Sequence, residues 1–156
     1  MNDRRAQIHK RIEQLKQDYG LRFEELLEAY ESTPTIPAQS FATVLTPLET
    51  AATYLKQQGL EPKAIAKLLN RSTSIINNAL ANSKKKNIRV EEKDTVYRIP
   101  ATAFTDKTLS PAEAVITHLR ERHQLDNNAV ARLFGRDQRN TWHLYKQACK
   151  KRGGTQ

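Results

Sequence analysis

IPAQSF at 36–41 returns as IPATAF at 99–104, and the echo continues beyond that hexapeptide. LTPLETAATYL at 45–55 matches LSPAEAVITHL at 109–119, AIAKLLNRS at 64–72 matches AVARLFGRD at 129–137, and Lys84-Lys85-Lys86 matches Cys149-Lys150-Lys151. Order, spacing and turn residues recur together, which unrelated helical segments do not achieve by chance. The chain carries an internal duplication, and self-similarity at this period implies repeated supersecondary units. An apolar fraction of 38% permits small folded units and argues against one large core.

Each copy reads as three helices. Thr46-Pro47 and Ser110-Pro111 are N-cap-then-proline starts, and Glu49 and Glu113 follow three residues after the caps, as a capping box requires. Leu48, Ala51, Ala52 and Leu55 fall on one helical face, and Ala112, Val115, Ile116 and Leu119 repeat it. The second helix carries Ile65, Leu68 and Leu69 in one copy and Val130, Leu133 and Phe134 in the other. The third is capped by Ser72 or Asp137 and anchored by Ile76 and Leu80, or by Leu144 and Tyr145.

The join between second and third helices is the informative part. Two helices crossing closely need a small residue at the crossing, and four positions later a residue that tolerates positive φ. Ala66 then Asn70 supply this in the first copy, with Ile65, Leu69 and Ile76 around them. Ala131 then Gly135 supply it in the second, with Val130, Phe134 and Leu144. With these residues in place, 109–145 and the weaker copy at 45–80 resemble tandem helix-turn-helix proteins. More specifically, they are similar to the C-terminal (region four) domain of bacterial sigma factors. The resemblance implies an all-α fold whose third helices enter the DNA major groove. The chain departs from the sigma pattern in carrying two such units and no recognisable promoter-melting region, so a full sigma factor is not expected.

Charge agrees with that direction. The net charge is +9 and the pI about 9.8. It is zero over 87–109 and −1 over 1–31, so the excess sits as +5 in 32–86 and +5 in 110–156. An excess of this size favours an anionic partner. Base-reading candidates are Gln138, Arg139, Asn140, Trp142, His143 and Lys146, with Thr73, Ser74, Asn77 and Asn78 in the first copy. Arg pairs bidentately with guanine, and Asn or Gln with adenine. No acid follows Asp137. The first copy's short uncharged face predicts weaker or indirect contacts. Trp142 fits equally a core position or the reading face. Phosphate candidates are Arg71, Lys84, Lys85, Lys86, Arg136, Lys150, Lys151 and Arg152, although basic side chains at helix C-termini also answer the helix dipole.

Other chemistries find little footing. No catalytic residue set, metal site or cofactor is expected: there is no phosphate-binding loop or nucleophile elbow, and His118 and His123 are expected on different helix faces. The single cysteine, Cys149, excludes an internal disulfide. No apolar run has membrane-spanning length, so a cytoplasmic, nucleoid-associated protein with no membrane partner is expected.

The expected layout is an N-terminal helical hairpin at 1–32, a helix-turn-helix domain at 36–86, an extended or hairpin linker at 87–98, and a second such domain at 99–152. In the hairpin, Ile8, Ile12, Leu15 and Tyr19 form a stripe that either caps the first repeat or self-associates; Gly20 breaks it, and Phe23, Leu26, Leu27 and Tyr30 continue it. Each IPA-x-x-F is expected as an arm with little regular structure, tucked onto its own domain. The expected function is sequence-preferring binding of double-stranded DNA, as a transcription regulator or accessory factor. The alternatives are an architectural DNA-binding protein with little base preference, or an adaptor docking on RNA polymerase through the acidic hairpin. Because the copies are a direct repeat joined by an arm, an asymmetric or directly repeated target is expected.

Overall fold

The computed structural model describes residues 2–20, 22, 24–25, 32–91 and 96–153. The chain divides into two compact units, Met1–Pro34 and Thr35–Gln156. In the first unit, helix α1 spans Asn2–Tyr19, and Gly20 ends it at φ +64. Its stripe faces solvent at Ile8, Leu15 and Tyr19. The expected second helix of the hairpin falls largely outside the described residues. Among the described residues, no helix is long and apolar enough to cross a membrane.

The second unit opens with strand β1 (Thr35–Pro37), a 3₁₀ turn η1 (Ala38–Phe41), and helices α2 (Pro47–Gln57), α3 (Pro62–Leu69) and α4 (Thr73–Lys86). The same order then returns as β2 (Arg98–Pro100), η2 (Ala101–Phe104), α5 (Pro111–Glu121), α6 (Asn127–Phe134) and α7 (Gln138–Lys151). Helices dominate, as expected of the class, and the small sheet is the exception.

Local chemistry sets the helix starts. Thr46 Oγ1 accepts from the Glu49 amide at 3.2 Å while the Thr46 amide donates back to the Glu49 carboxylate at 3.0 Å. Ser110 and Glu113 repeat this box at the same 3.2 and 3.0 Å. The proline that follows each cap presents a ring where a helix has no use for an N–H.

The two copies do not fold apart. Ile36, Leu55, Ile65, Leu69 and Ile76 from the first copy join Ile99, Val115, Ile116, Leu119 and Val130 from the second in one continuous core, all at 0% exposure. The expectation of small separate cores is corrected here: each unit is too small to cover its own apolar faces, and α2 buries against α5 instead.

The arms explain how. β1 and β2 pair antiparallel with Thr35 opposite Pro100, Ile36 opposite Ile99, and Pro37 opposite Arg98. Ile36 and Ile99 are equivalent residues of the repeat, so an antiparallel pair that sets one opposite the other has a local two-fold axis between them. The rest of the unit follows that axis. Turn η1 packs on α6 of the second copy and η2 packs on α3 of the first. Phe41 stacks on its equivalent Phe104 at 6.1 Å and on Phe134 at 6.2 Å. Arg98 locks the strand pair, donating to the Thr35 hydroxyl at 2.8 Å, the Thr35 carbonyl at 3.2 Å and the Tyr54 hydroxyl at 3.1 Å. This is the geometry of an isologous dimer contained in one chain.

One expectation is refined as a result. The IPA-x-x-F segments are regular strand-plus-3₁₀ elements; they pack on their own copy's first helix, as expected, and also reach the opposite copy's second helix, where pairing with each other satisfies backbone groups that a lone arm would leave to water. Of the 87–98 segment, expected as an extended arm or a hairpin, residues 92–95 lie outside the described residues. Its Val90 is buried, and the carbonyl of Glu91 accepts from Ser40 Oγ at 3.1 Å.

Candidate nucleic-acid interface

The turns before α4 and α7 are built alike. Asn70 closes α3 at φ +54 and Gly135 closes α6 at φ +69, both left-handed. The next amide reaches back in each case: Arg71 to the Ala66 carbonyl at 2.9 Å, and Arg136 to the Ala131 carbonyl at 3.0 Å. These are helix-ending bonds that satisfy carbonyls left open by the last turn. Then Ser72 Oγ accepts from the Ile75 amide at 3.2 Å, and the Asp137 carboxylate from the Asn140 amide at 2.8 Å, starting the third helices.

Both turns are held from the opposite copy. Asn70 Nδ2 donates to the Thr105 carbonyl at 2.9 Å, just after η2. A Cβ on Gly135 would lie 3.1 Å from the Ala42 Cβ, just after η1. Positions 42 and 105 are equivalent, so each crossed arm ends against the turn that aims the other copy's third helix.

Beneath the turns, Ile65, Leu69 and Ile76 are fully buried in the first copy, as expected. In the second copy Val130 and Phe134 are buried, but the place of Ile76 is taken by Thr141 at 0% exposure, and Leu144 is only half-buried. Leu144 and Tyr145 pack against the core half-buried, as expected of anchors, and Thr141, one turn before Leu144, adds a fully buried position that was not expected. Thr141 enters the core because its hydroxyl donates to the Asp137 carbonyl at 3.0 Å, leaving its methyl to pack.

On α7, Gln138, Arg139, Trp142, His143 and Lys146 are exposed, and Asn140 is half-buried. The open question over Trp142 falls on the surface side: it is 48% exposed, with the Lys146 ammonium 4.8 Å over its ring. Gln147 and His143 bond side chain to side chain at 3.1 Å. On α4, Thr73, Ser74, Asn77 and Asn78 are all exposed, beside the outward-facing Ile75.

The basic residues divide into two groups. Lys86 binds the buried Glu49 carboxylate at 2.8 Å, and the equivalent Lys151 binds the buried Glu113 carboxylate at 3.0 Å. Each pair ties the end of a third helix to the capping box of its own first helix. Arg152 binds the Glu121 carboxylate. These three are occupied structurally, which the sequence did not reveal, because the carboxylate partners lie far away along the chain. The other five remain at the surface or along the turns. Arg71 folds back on the Leu69 and Asn70 carbonyls at 3.2 Å each, and Arg136 lies 5.2 Å over the Phe134 ring. Lys84, Lys85 and Lys150 are exposed.

Two histidines also differ from expectation. Helix α5 ends at Glu121 and the chain turns at Gln124, φ +56, which brings His123 edge-on to His118 with ring centroids 5.3 Å apart. Burial first, then the neighbouring His123 and Arg122, push His118 down to about 4. Cys149 is buried. Near the start of α4, the Thr108 hydroxyl and amide hold the Asp106 carboxyl below its usual range, aided by Arg152 and Arg71.

No protein-family model, curated protein sequence or solved structure matches the chain.

Proposed function

We propose that the chain binds double-stranded DNA with a sequence preference, as a transcription regulator or accessory factor, using its two three-helix units as helix-turn-helix readers. The observation that carries this reading is the exposed face of α7. Gln138, Arg139, Trp142, His143 and Lys146 stand together on a helix whose start is fixed by Asp137 and whose end is fixed by Lys151 on Glu113. A helix rigidly held at both ends can offer donors to base edges at defined positions. Arg139 suits guanine and Gln138 suits adenine, while Lys84, Lys85, Lys150, Arg71 and Arg136 supply the phosphate-facing charge. The α4 face offers short hydroxyl and amide groups, which support a lesser share of base reading.

The test is selection of bound sequences from a pool of random duplexes by the full chain, repeated with an Arg139→Ala, Trp142→Ala variant. Enrichment of a motif that the variant loses supports the reading. Tight binding with no enriched motif replaces it with an architectural role. Absence of duplex binding at low salt overturns it.

A further inference from the structure

We infer that one chain, acting alone, reads a two-fold-related DNA site: two inverted half-sites at one fixed spacing, with one half strictly specified and the other loosely. The inference rests on the DNA-binding reading above and goes beyond it in naming the target's symmetry and stoichiometry. It reverses the direct-repeat expectation drawn from sequence order.

Equivalent residues Ile36 and Ile99 face each other in antiparallel register, equivalent Phe41 and Phe104 stack, and each 3₁₀ turn lies on the other copy's second helix. Every one of these relations is reciprocal, so the third helices α4 and α7 are related by the same axis. Two identical reading heads related by a two-fold axis accept half-sites related by one, which is why dimers of such units select palindromes. Here the symmetry lies within a single polypeptide.

The two heads also border common ground. Arg71, Ser72 and Ile75 at the start of α4 line a cleft of about 540 Å³ together with Lys151 at the end of α7 and the 107–111 segment. The start of one reading helix thus neighbours the end of the other, which suits one duplex better than two. Their separation is set by packing: β1 and β2 pair with Ile36 and Ile99 buried, and Asn70 and Gly135 seat each turn against the opposite arm. Spacing between half-sites is therefore a property of the fold.

The halves are unequal because the faces are. α7 presents Gln138, Arg139, His143 and Lys146, with five-donor and bidentate chemistry, whereas α4 presents Thr73, Ser74, Asn77 and Asn78. A symmetric scaffold with dissimilar faces reads a palindrome in position but not in sequence.

The experiment takes the duplex enriched by the full chain and measures affinity and mass of the complex. The expected motif has one strongly and one weakly specified half at a single spacing, with the protected phosphates of the two halves related by a dyad and one chain per duplex by sedimentation. Inserting five base pairs between the halves should weaken binding at least tenfold, since the second head then faces away from its groove. A directly repeated motif, a single half-site indifferent to flanking insertions, two chains per site, or one chain bridging two duplexes would each overturn the inference while leaving DNA binding intact. Failure to bind any duplex would overturn both.

Discussion

Alanine at Gly135 probes the interlock between the copies more sharply than any core truncation. The residue sits at φ +69, and its missing Cβ would stand 3.1 Å from the Ala42 Cβ and 3.2 Å from the Ala42 Cα. Placing alanine in the left-handed region costs about 1–2 kcal/mol. Pressing a methyl against the arm's backbone adds an overpacking cost of about 1–3 kcal/mol, because Ala42 closes η1 and cannot move without disturbing Phe41. Together these predict a loss of about 2–5 kcal/mol, or a fall in Tm of roughly 4–20 °C at some 2–4 °C per kcal/mol for a chain of this size. Two companions separate the contributions. Gly59→Ala, at φ +97 with nothing within 4 Å, carries a conformational cost with no steric one, and a larger one than at Gly135 because it lies beyond the left-handed region. Gly135→Asn places a residue suited to this backbone, as Asn70 already is, and keeps mainly the steric one. Urea unfolding followed by circular dichroism measures all three. If Gly135→Ala costs no more than the left-handed cost of about 1–2 kcal/mol, and Gly135→Asn costs nothing, the arm does not press on the turn and the crossed architecture fails.

Other outcomes follow from the same geometry. With Lys86, Lys151 and Arg152 held internally, about five phosphate contacts remain, giving a slope near −4.5 in log K against log salt and a loss of roughly 10²–10³ between 50 and 200 mM; a flat response in anisotropy titrations would remove the electrostatic basis. Arg139→Ala should cost about 1–3 kcal/mol and relax one base position, and Ser74→Ala at the equivalent place should cost less; equal losses with unchanged preference would contradict the asymmetry. Lys151→Met should lower stability by about 1 kcal/mol, since the lysine is part-exposed and its pairing screened, whereas Glu113→Ala also removes the capping box and should cost about 2–3 kcal/mol; urea midpoints of the two variants decide. His118, pushed down to about 4, stays neutral in the folded chain while the unfolded chain takes up a proton below about pH 6.5. Stability should thus be constant in this respect above pH 6.5, fall as pH drops toward 4, and level below that. Discounted for the ring's remaining exposure, the loss at pH 5 is about 1 kcal/mol. His118→Gln should remove that loss, and an unchanged pH 5 to pH 7 difference in the variant would refute it.

What the sequence made legible was local. The capping boxes at Thr46 and Ser110, the left-handed Asn70 and Gly135, and the N-caps Ser72 and Asp137 each depend on residues within a few positions, and each appears where periodicity and turn chemistry put it. What escaped was non-local or chemically two-faced. Thr141 reads as polar, so hydrophobic periodicity does not mark it as an anchor, although its hydroxyl is satisfied within its own helix. Lys86 and Lys151 look the same whether they face phosphate, a helix dipole or a buried glutamate. The crossing of the arms is invisible in a direct repeat, because sequence order records that Ile36 and Ile99 are equivalent but not that they meet.

On the proposed reading, one chain places both third helices on one duplex. Amide NMR of the full chain, titrated with one equivalent of its selected duplex, tests it directly. Shifts or broadening should appear together at 72–78 and at 137–146, saturating at one chain per duplex. Perturbation confined to α1, or to α7 with α4 silent, would contradict the account.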